Sequence, residues 1–232
     1  MIKIRNAKAR GKTELSWLES CHSFSFGSYY DPTFLGFETL LVINEDRVMP
    51  GSGYGRHAHS EMEIISYVIC GTIEHKDSIG NGSLIKPGEI QRMSAGTGIE
   101  HSEFNPSDSE RLHFLQIWIK PKEKQLTPSY EQKTIHKEDN KLILIGSPKE
   151  TKDAIVIHQD VELFAGNFSK DETVDYSFKA SHKGWLQLIK GELIINGQQL
   201  SAGDGASITE EKTISINCLE NSEFLLFDLS GF

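Results

Sequence analysis

Short runs of β-branched, aromatic and leucine residues follow one another along this chain, and Gly, Pro or Asn interrupts them before a helical period can develop. FETLLVI (37–43), EIISYVI (63–69), GSLIKPGEIQRM (82–93), LHFLQIWI (112–119), KLILIGS (141–147), DAIVIH (153–158), GWLQLIKGELIING (184–197), KTISIN (212–217) and FLLFDLS (224–230) are the clearest. Many short strands with frequent turn signals predict an all-β sandwich or barrel. The stretch KPKEKQLTPSYEQKTIHKEDN (120–140) is polar, carries two prolines and lacks an apolar period, so it reads as a crossing between two β units. The two sides repeat weakly. YVICGTIEH (67–75) parallels QLIKGELII (187–195), and KPGEIQRM (86–93) parallels SAGDGASI (201–208). Such a repeat predicts two copies of one β-barrel, at residues 1–138 and 139–232.

With 232 residues, 38% of them hydrophobic and 25% charged, the chain can bury a core. Its net charge of −9 and the lack of a Lys/Arg cluster argue against direct nucleic-acid binding. Cys21, Cys70 and Cys218 form no CxxC and read as inert thiols of a reducing compartment. The start MIKIRNAKARGK has no apolar stretch behind it, and no apolar run reaches the ~18 residues of a membrane span. A soluble, cytoplasmic protein and a monomer are expected.

Against this background GRHAHSEME (55–63) stands out. Residues i and i+2 of a strand share a face, so His57 and His59 converge, and Glu61 and Glu63 share their parity. One such pair is weak, but GIEHSEFNP (98–106) adds His101 and Glu103 at the same spacing. Two strand pairs facing each other inside a barrel supply three imidazoles and a carboxylate, a set that suits a first-row divalent metal. A small barrel is otherwise filled with apolar side chains, and polar groups there need a partner. His22, alternating with Phe24 and Phe26, reads as a packed core residue or the lining of a pocket mouth. His75 and His113 have no paired neighbour and read as structural, and Gly80 and Gly82 mark a tight hairpin.

The HxHxxxE and GxGxxHxExN patterns (57–63 and 96–105) resemble the paired motifs of the cupin superfamily. HKDSIGNGSLIKPGEIQRMSAGTGIEHSE (75–103), SWLESCHSFSFGSYYDP (16–32), VINEDRVMPGSGYGRHAH (42–59) and LHFLQIWIKP (112–121) are similar to the pirin family of bicupins. The C-terminal GWLQLIKGELIINGQQLSAGDGASI (184–208) and LLFDLSG (225–231) resemble bacterial pirin-like members with quercetin 2,3-dioxygenase activity. The likeness spans nearly the whole chain and implies two cupin (jelly-roll) β-barrels. It implies a divalent metal, Fe(II) before other first-row ions, on His57, His59, His101 and Glu103. Glu63, at the usual cupin glutamate position, is left to orient a ligand histidine or to sit solvated at the strand end, and Glu61 to be a surface charge. It further implies a dioxygenase taking a flavonol and O₂ and releasing CO, with Glu103 as the base. The alternative is a metal-bearing, redox-sensing interaction module. Matched onto the first unit, the second offers Ser177, Lys179 and Lys183, then Ile216 and Cys218, where the first has ligands. It is expected to hold no metal.

Overall fold

The computed structural model describes residues 1–136 and 138–231, and the expectations for Lys137 and Phe232 lie outside the described residues. Twenty-two strands and one 3-10 turn, Ala7–Ala9, make up the regular structure among these residues. The expected runs fold as strands, with the ends set by turn residues: Glu63–Cys70, Leu112–Ile119, Lys141–Ser147, Thr213–Cys218 and Ser222–Leu229 among them. No helix of the described residues is long and apolar enough to cross a membrane.

The strands form two seven-stranded and two four-stranded sheets in a repeated order. In the first half, Ser129–Thr134, Glu89–Ser94, Glu63–Cys70, Leu112–Ile119, Leu40–Val48, Leu18–His22 and Gly11–Glu14 lie side by side. The matching small sheet runs Gly53–His59, Ile99–Phe104, Ile73–Asp77, Gly82–Ile85. In the second half the small sheet runs Thr173–Ser177, Thr213–Cys218, Glu192–Ile195, Gln198–Ser201, in the same order. The weak sequence repeat is therefore a repeat of topology, the bicupin arrangement.

Two edge strands depart from the sequence reading. Ser129–Thr134 lies inside the stretch read as a crossing and pairs antiparallel with Glu89–Ser94. Its half-buried, polar side chains are those of an edge strand, where ladder hydrogen bonds rather than apolar burial hold the chain. Ile2–Arg5 crosses the division expected at 138/139. It pairs with Gly205–Ile208 and forms the edge of the C-terminal large sheet, where the Asp204 carboxylate accepts from the Ala7 amide at 2.6 Å. The C-terminal large sheet thus takes one edge strand from the other half of the sequence, whereas Ser129–Thr134 completes the N-terminal sheet from within residues 1–138.

Strand parity divides each large sheet's side chains between two environments. Ile65, Tyr67, Leu115 and Ile117 face the other half and join Ile145, Leu163, Trp185, Leu225 and Phe227 in one shared core. The opposite face closes over the small sheet. In the C-terminal half this interior is mainly apolar, with Leu186, Leu188, Leu193, Ile195, Ile214, Ile216 and Cys218, and the buried Asp228 at its end is bonded by Tyr176 and His182. In the N-terminal half the corresponding positions include Asn44, Asp46, Ser66, Gln91 and Gln116, all buried. A buried polar layer of this kind is costly unless it is hydrogen-bonded, and it surrounds the site described next.

Gly53 keeps the small N-terminal sheet in register. A Cβ there would lie 2.2 Å from the Glu103 carbonyl oxygen and 2.5 Å from Phe104 Cα, so the strands approach as only glycine allows. Gly53→Ala should destabilise the protein by about 1–3 kcal/mol or more, as overpacking against backbone does. Because the displaced strand carries His101 and Glu103, metal affinity should fall with the melting temperature. A melt and a metal titration on one preparation check both.

Candidate metal centre

Three adjacent strands build the site. Ile99–Phe104 is central and carries His101 and Glu103. Gly53–His59 flanks it with His57 and His59, and Ile73–Asp77 flanks it on the other side with His75. His57 pairs directly with His101, but a bulge follows, and Glu103 then pairs with Tyr54. The ladder to the other strand is continuous, so Glu103 lies directly opposite His75 and His101 opposite Asp77. Directly opposed residues share a face with Cβ atoms about 5 Å apart. Glu103 is therefore flanked by Tyr54 on one side and by His75 on the other.

The geometry follows this register. His57, His59 and His101 bring ligand nitrogens within 4.8 Å of one another, and so do His75, His101 and Glu103 as a second group. The four expected ligands thus fall in two overlapping sets that share His101. His101 and Glu103 are 1% and 3% exposed, whereas His57 and His59 are half-buried, and His59 borders a cleft of about 390 Å³ lined also by Ala58, Ser78, Ile99 and Glu100.

The donors suit a cation. His57 Nδ1 donates to the Gly55 carbonyl oxygen at 2.7 Å, which leaves the Nε2 lone pair facing inward. That Nε2 lies 3.1 Å from His101 Nε2. Two nitrogens each about 2.1 Å from one ion at tetrahedral or right angles would be separated by about 3.0–3.4 Å. His101 Nδ1 is buried without a hydrogen-bond partner. Burial, then the neighbouring imidazoles, push the His101 pKa down to about 3 and that of His59 to about 4, so both rings are neutral at pH 7 with lone pairs available. The Glu103 carboxylate accepts from Ser66 Oγ and from Gln116 Nε2, each at 3.0 Å. Trp118 stands edge-on to His59 at 5.0 Å between ring centroids, and Phe26 packs on Trp118 at 5.4 Å.

The depressed histidines give a stability profile. A ring that resists protonation when folded but accepts a proton near pH 6.5 when unfolded costs nothing above that pH. As pH falls from about 6.5 toward 4 the unfolded chain binds more protons, and stability is lost. The melting temperature of metal-free protein should therefore drop across this window, and His59→Gln should flatten the drop. Melts between pH 7.5 and 4 check this.

Glu63 takes neither of the places considered for it. His59 ends one strand and Glu63 opens the next, so their parity does not carry across the turn between them. Glu63 shares its face with Ile65 and Tyr67 and points at the other half, fully buried. There it accepts from Ser94 Oγ at 3.0 Å and lies 3.0 Å from His158 Nδ1. Glu61 is half-buried, and both its carboxylate oxygens accept from the Gln125 amide, at 3.0 and 3.2 Å. His22 is a packed residue, 2.8 Å from Thr13 Oγ1 and 2.7 Å from Asn44 Oδ1, and His113 lies against Glu45 at 2.9 Å. His75, read as structural for want of a neighbour, has one in Asp77, two residues on; the HKD spacing carried the signal. In the C-terminal half, Ile214 and Ile216 fill the positions around which ligands cluster in the first, and among the described residues no group of possible ligands forms there.

Comparison with known proteins extends this picture. Residues 3–119 match the Pirin family model, and residues 144–229 match that of the quercetinase C-terminal cupin domain. The chain is 47% identical over 229 residues to the quercetin 2,3-dioxygenase of Escherichia coli K12, covering 99% of each. It is 38% identical over 231 residues to a pirin-like protein of Caulobacter vibrioides, covering 98% of this chain and 99% of the relative. The crystal structure of the bacterial pirin YhhW from Escherichia coli in complex with nickel(II) superposes with a TM-score of 0.96 at 46% identity, covering 100% of both chains.

Proposed function

The chain belongs to the pirin family, and from that premise we propose that it is a metal-dependent dioxygenase that cleaves a flavonol such as quercetin with O₂ and releases CO. The observation that carries the reading is the convergence of the imidazole nitrogens of His57, His59 and His101, with Glu103 buried next to them and His59 at the edge of an open cleft. Relatives named quercetin 2,3-dioxygenase and the nickel(II) complex of a similar chain support it.

His57, His59 and His101 would hold the ion, with Glu103 as the fourth ligand, and Fe(II) is the metal we propose. When bound, a divalent ion supplies a Lewis-acid contact for the adjoining hydroxyl and carbonyl oxygens of the substrate. The chain's own residues do the rest. The Gly55 carbonyl fixes the His57 tautomer. Glu103 takes the 3-hydroxyl proton on a carboxylate oxygen, and the Ser66 and Gln116 donors hold that carboxylate in place. Trp118 and Phe26 give a planar phenolic an aromatic wall next to His59. We place this activity in the cytoplasm, consistent with three free cysteines.

The test is direct. Metal-loaded protein should consume O₂ with quercetin, bleach the flavonol absorbance and release CO, while a flavone lacking the 3-hydroxyl should be inert. No turnover across several divalent metals would favour the interaction-module reading instead.

A further inference from the structure

We infer that His75, His101 and Glu103 form a second, buried position for a divalent ion, inboard of the His57–His59–His101 position, and that one ion is shared between the two. The inference rests on the reading of this half as a metal centre and adds a ligand and a location to it.

His75 is built as a ligand. It is 0% exposed, and its Nε2 lies 3.2 Å from Asp77 Oδ2. Asp77 is held as an acceptor, its Oδ1 taking the Ile79 and Asn81 amides and its Oδ2 the Asn81 side-chain NH₂, so His75 Nε2 donates to it and Nδ1 carries the lone pair. That Nδ1 is buried without a hydrogen-bond partner. An imidazole bonded to a carboxylate through one nitrogen, with the other left bare, is how metal-binding histidines are oriented. The ring is fixed from behind by Tyr130, stacked at 4.8 Å between centroids. The Tyr130 hydroxyl is tied to Ser83 and donates to Gln132 at 2.8 Å.

The partners converge on the same point. The continuous ladder sets Glu103 opposite His75, and the three ligand atoms lie within 4.8 Å of one another. Three ligand atoms each about 2.1 Å from one ion lie about 3.0–3.6 Å apart, so side-chain movements of up to about an ångström close the set. The other unpartnered buried nitrogen here, His101 Nδ1, belongs to the residue the two positions share. Two ions at once would set four positive charges against a single carboxylate among five ligands, so the positions alternate. The outer one reaches the cleft through His59; the inner one is sealed, and Glu103, within reach of both, is there opposite its register partner.

Cobalt(II) is the probe, because its visible d–d bands report the number and geometry of its ligands. Apo wild type, His57→Ala/His59→Ala, the same pair with His75→Phe added, and His75→Phe alone are titrated, with circular-dichroism melts to verify folding. The double variant should still bind one cobalt per chain, with affinity lowered about 100-fold or more and altered d–d bands, as after losing the outer ligands alone. Adding His75→Phe should abolish that binding, while His75→Phe alone should keep one ion at the outer position. If the phenylalanine variants fail to fold, His75→Gln replaces them, keeping a donor for Asp77 and removing the imidazole lone pair. A double variant that binds no cobalt, or a triple variant that binds it as the double does, overturns the inner position while leaving the outer centre standing. Wild type that binds no cobalt overturns both.

Discussion

His101→Ala protein should come out of metal loading with less than about a tenth of the ion that wild type holds, and no other single histidine replacement should do as much damage. His101 belongs to both groups of ligand atoms, whereas His57 and His59 belong to one and His75 to the other. Four-ligand zinc sites bind with apparent free energies of about 10–16 kcal/mol, so one ligand accounts for about 3 kcal/mol, or a factor of about 100 in Kd. Replacing His57 leaves a set that still contains a carboxylate; replacing His101 leaves His57 and His59 on one flanking strand, His75 on the other and Glu103 alone between them, with neither group of three complete. Elemental analysis after dialysis at micromolar free metal separates the cases. Retention near one ion per chain by His101→Ala would remove it from the centre.

Glu103→Gln should lower kcat about 100–1,000-fold at equal metal occupancy, with a smaller effect on occupancy itself. A positioned base contributes about 10²–10⁴ in rate, and a carboxamide is a far poorer one. The replacement also inserts an amide between Ser66 and Gln116, which now donate to the two carboxylate oxygens at 3.0 Å each. One amide end keeps an acceptor for its donor; the NH₂ end then meets a group that must turn round to accept. Ser66 can do so with its hydroxyl, so the fold tolerates the change and the loss falls on proton transfer. Equal rates for metal-matched wild type and variant would take Glu103 out of the chemistry.

Much of this was legible in the residues. Alternation and turn residues mark the large-sheet strands because each must be apolar on the face it buries, and two same-parity pairs, 57/59 and 101/103, mark the site strands. Three features were not. Ile2–Arg5 shows two isoleucines at one parity, but no local signal names a partner so distant along the chain. The bulge opposite His101 and Glu103 resets the pairing by one residue, so Glu103 lies opposite Tyr54 rather than the Gly55 that uninterrupted pairing would give. Glu63 follows its cupin position in sequence, but the turn after His59 restarts the alternation and sends it to the junction of the halves, where it meets His158. Each is a tertiary choice made at a strand end or irregularity, where periodicity carries no information.

The edge strand Ile2–Arg5 also puts the molecule on a clock. Its partner Gly205–Ile208 leaves the ribosome about 200 residues later, which at about 5–20 residues per second is a wait of about 10–40 s. All five residues of the metal cluster lie between positions 57 and 103 and have their strands in hand long before then. The nascent chain can therefore load its ion while its C-terminal sheet is still being made. Closing the ring from Ile2 to Ile208 is the late, slow event of high contact order. Until it happens the Gly205–Ile208 edge is bare, and a second nascent chain offers the same strand to pair with it. Crowded translation, rather than loss of metal, is then the condition under which this protein misassembles.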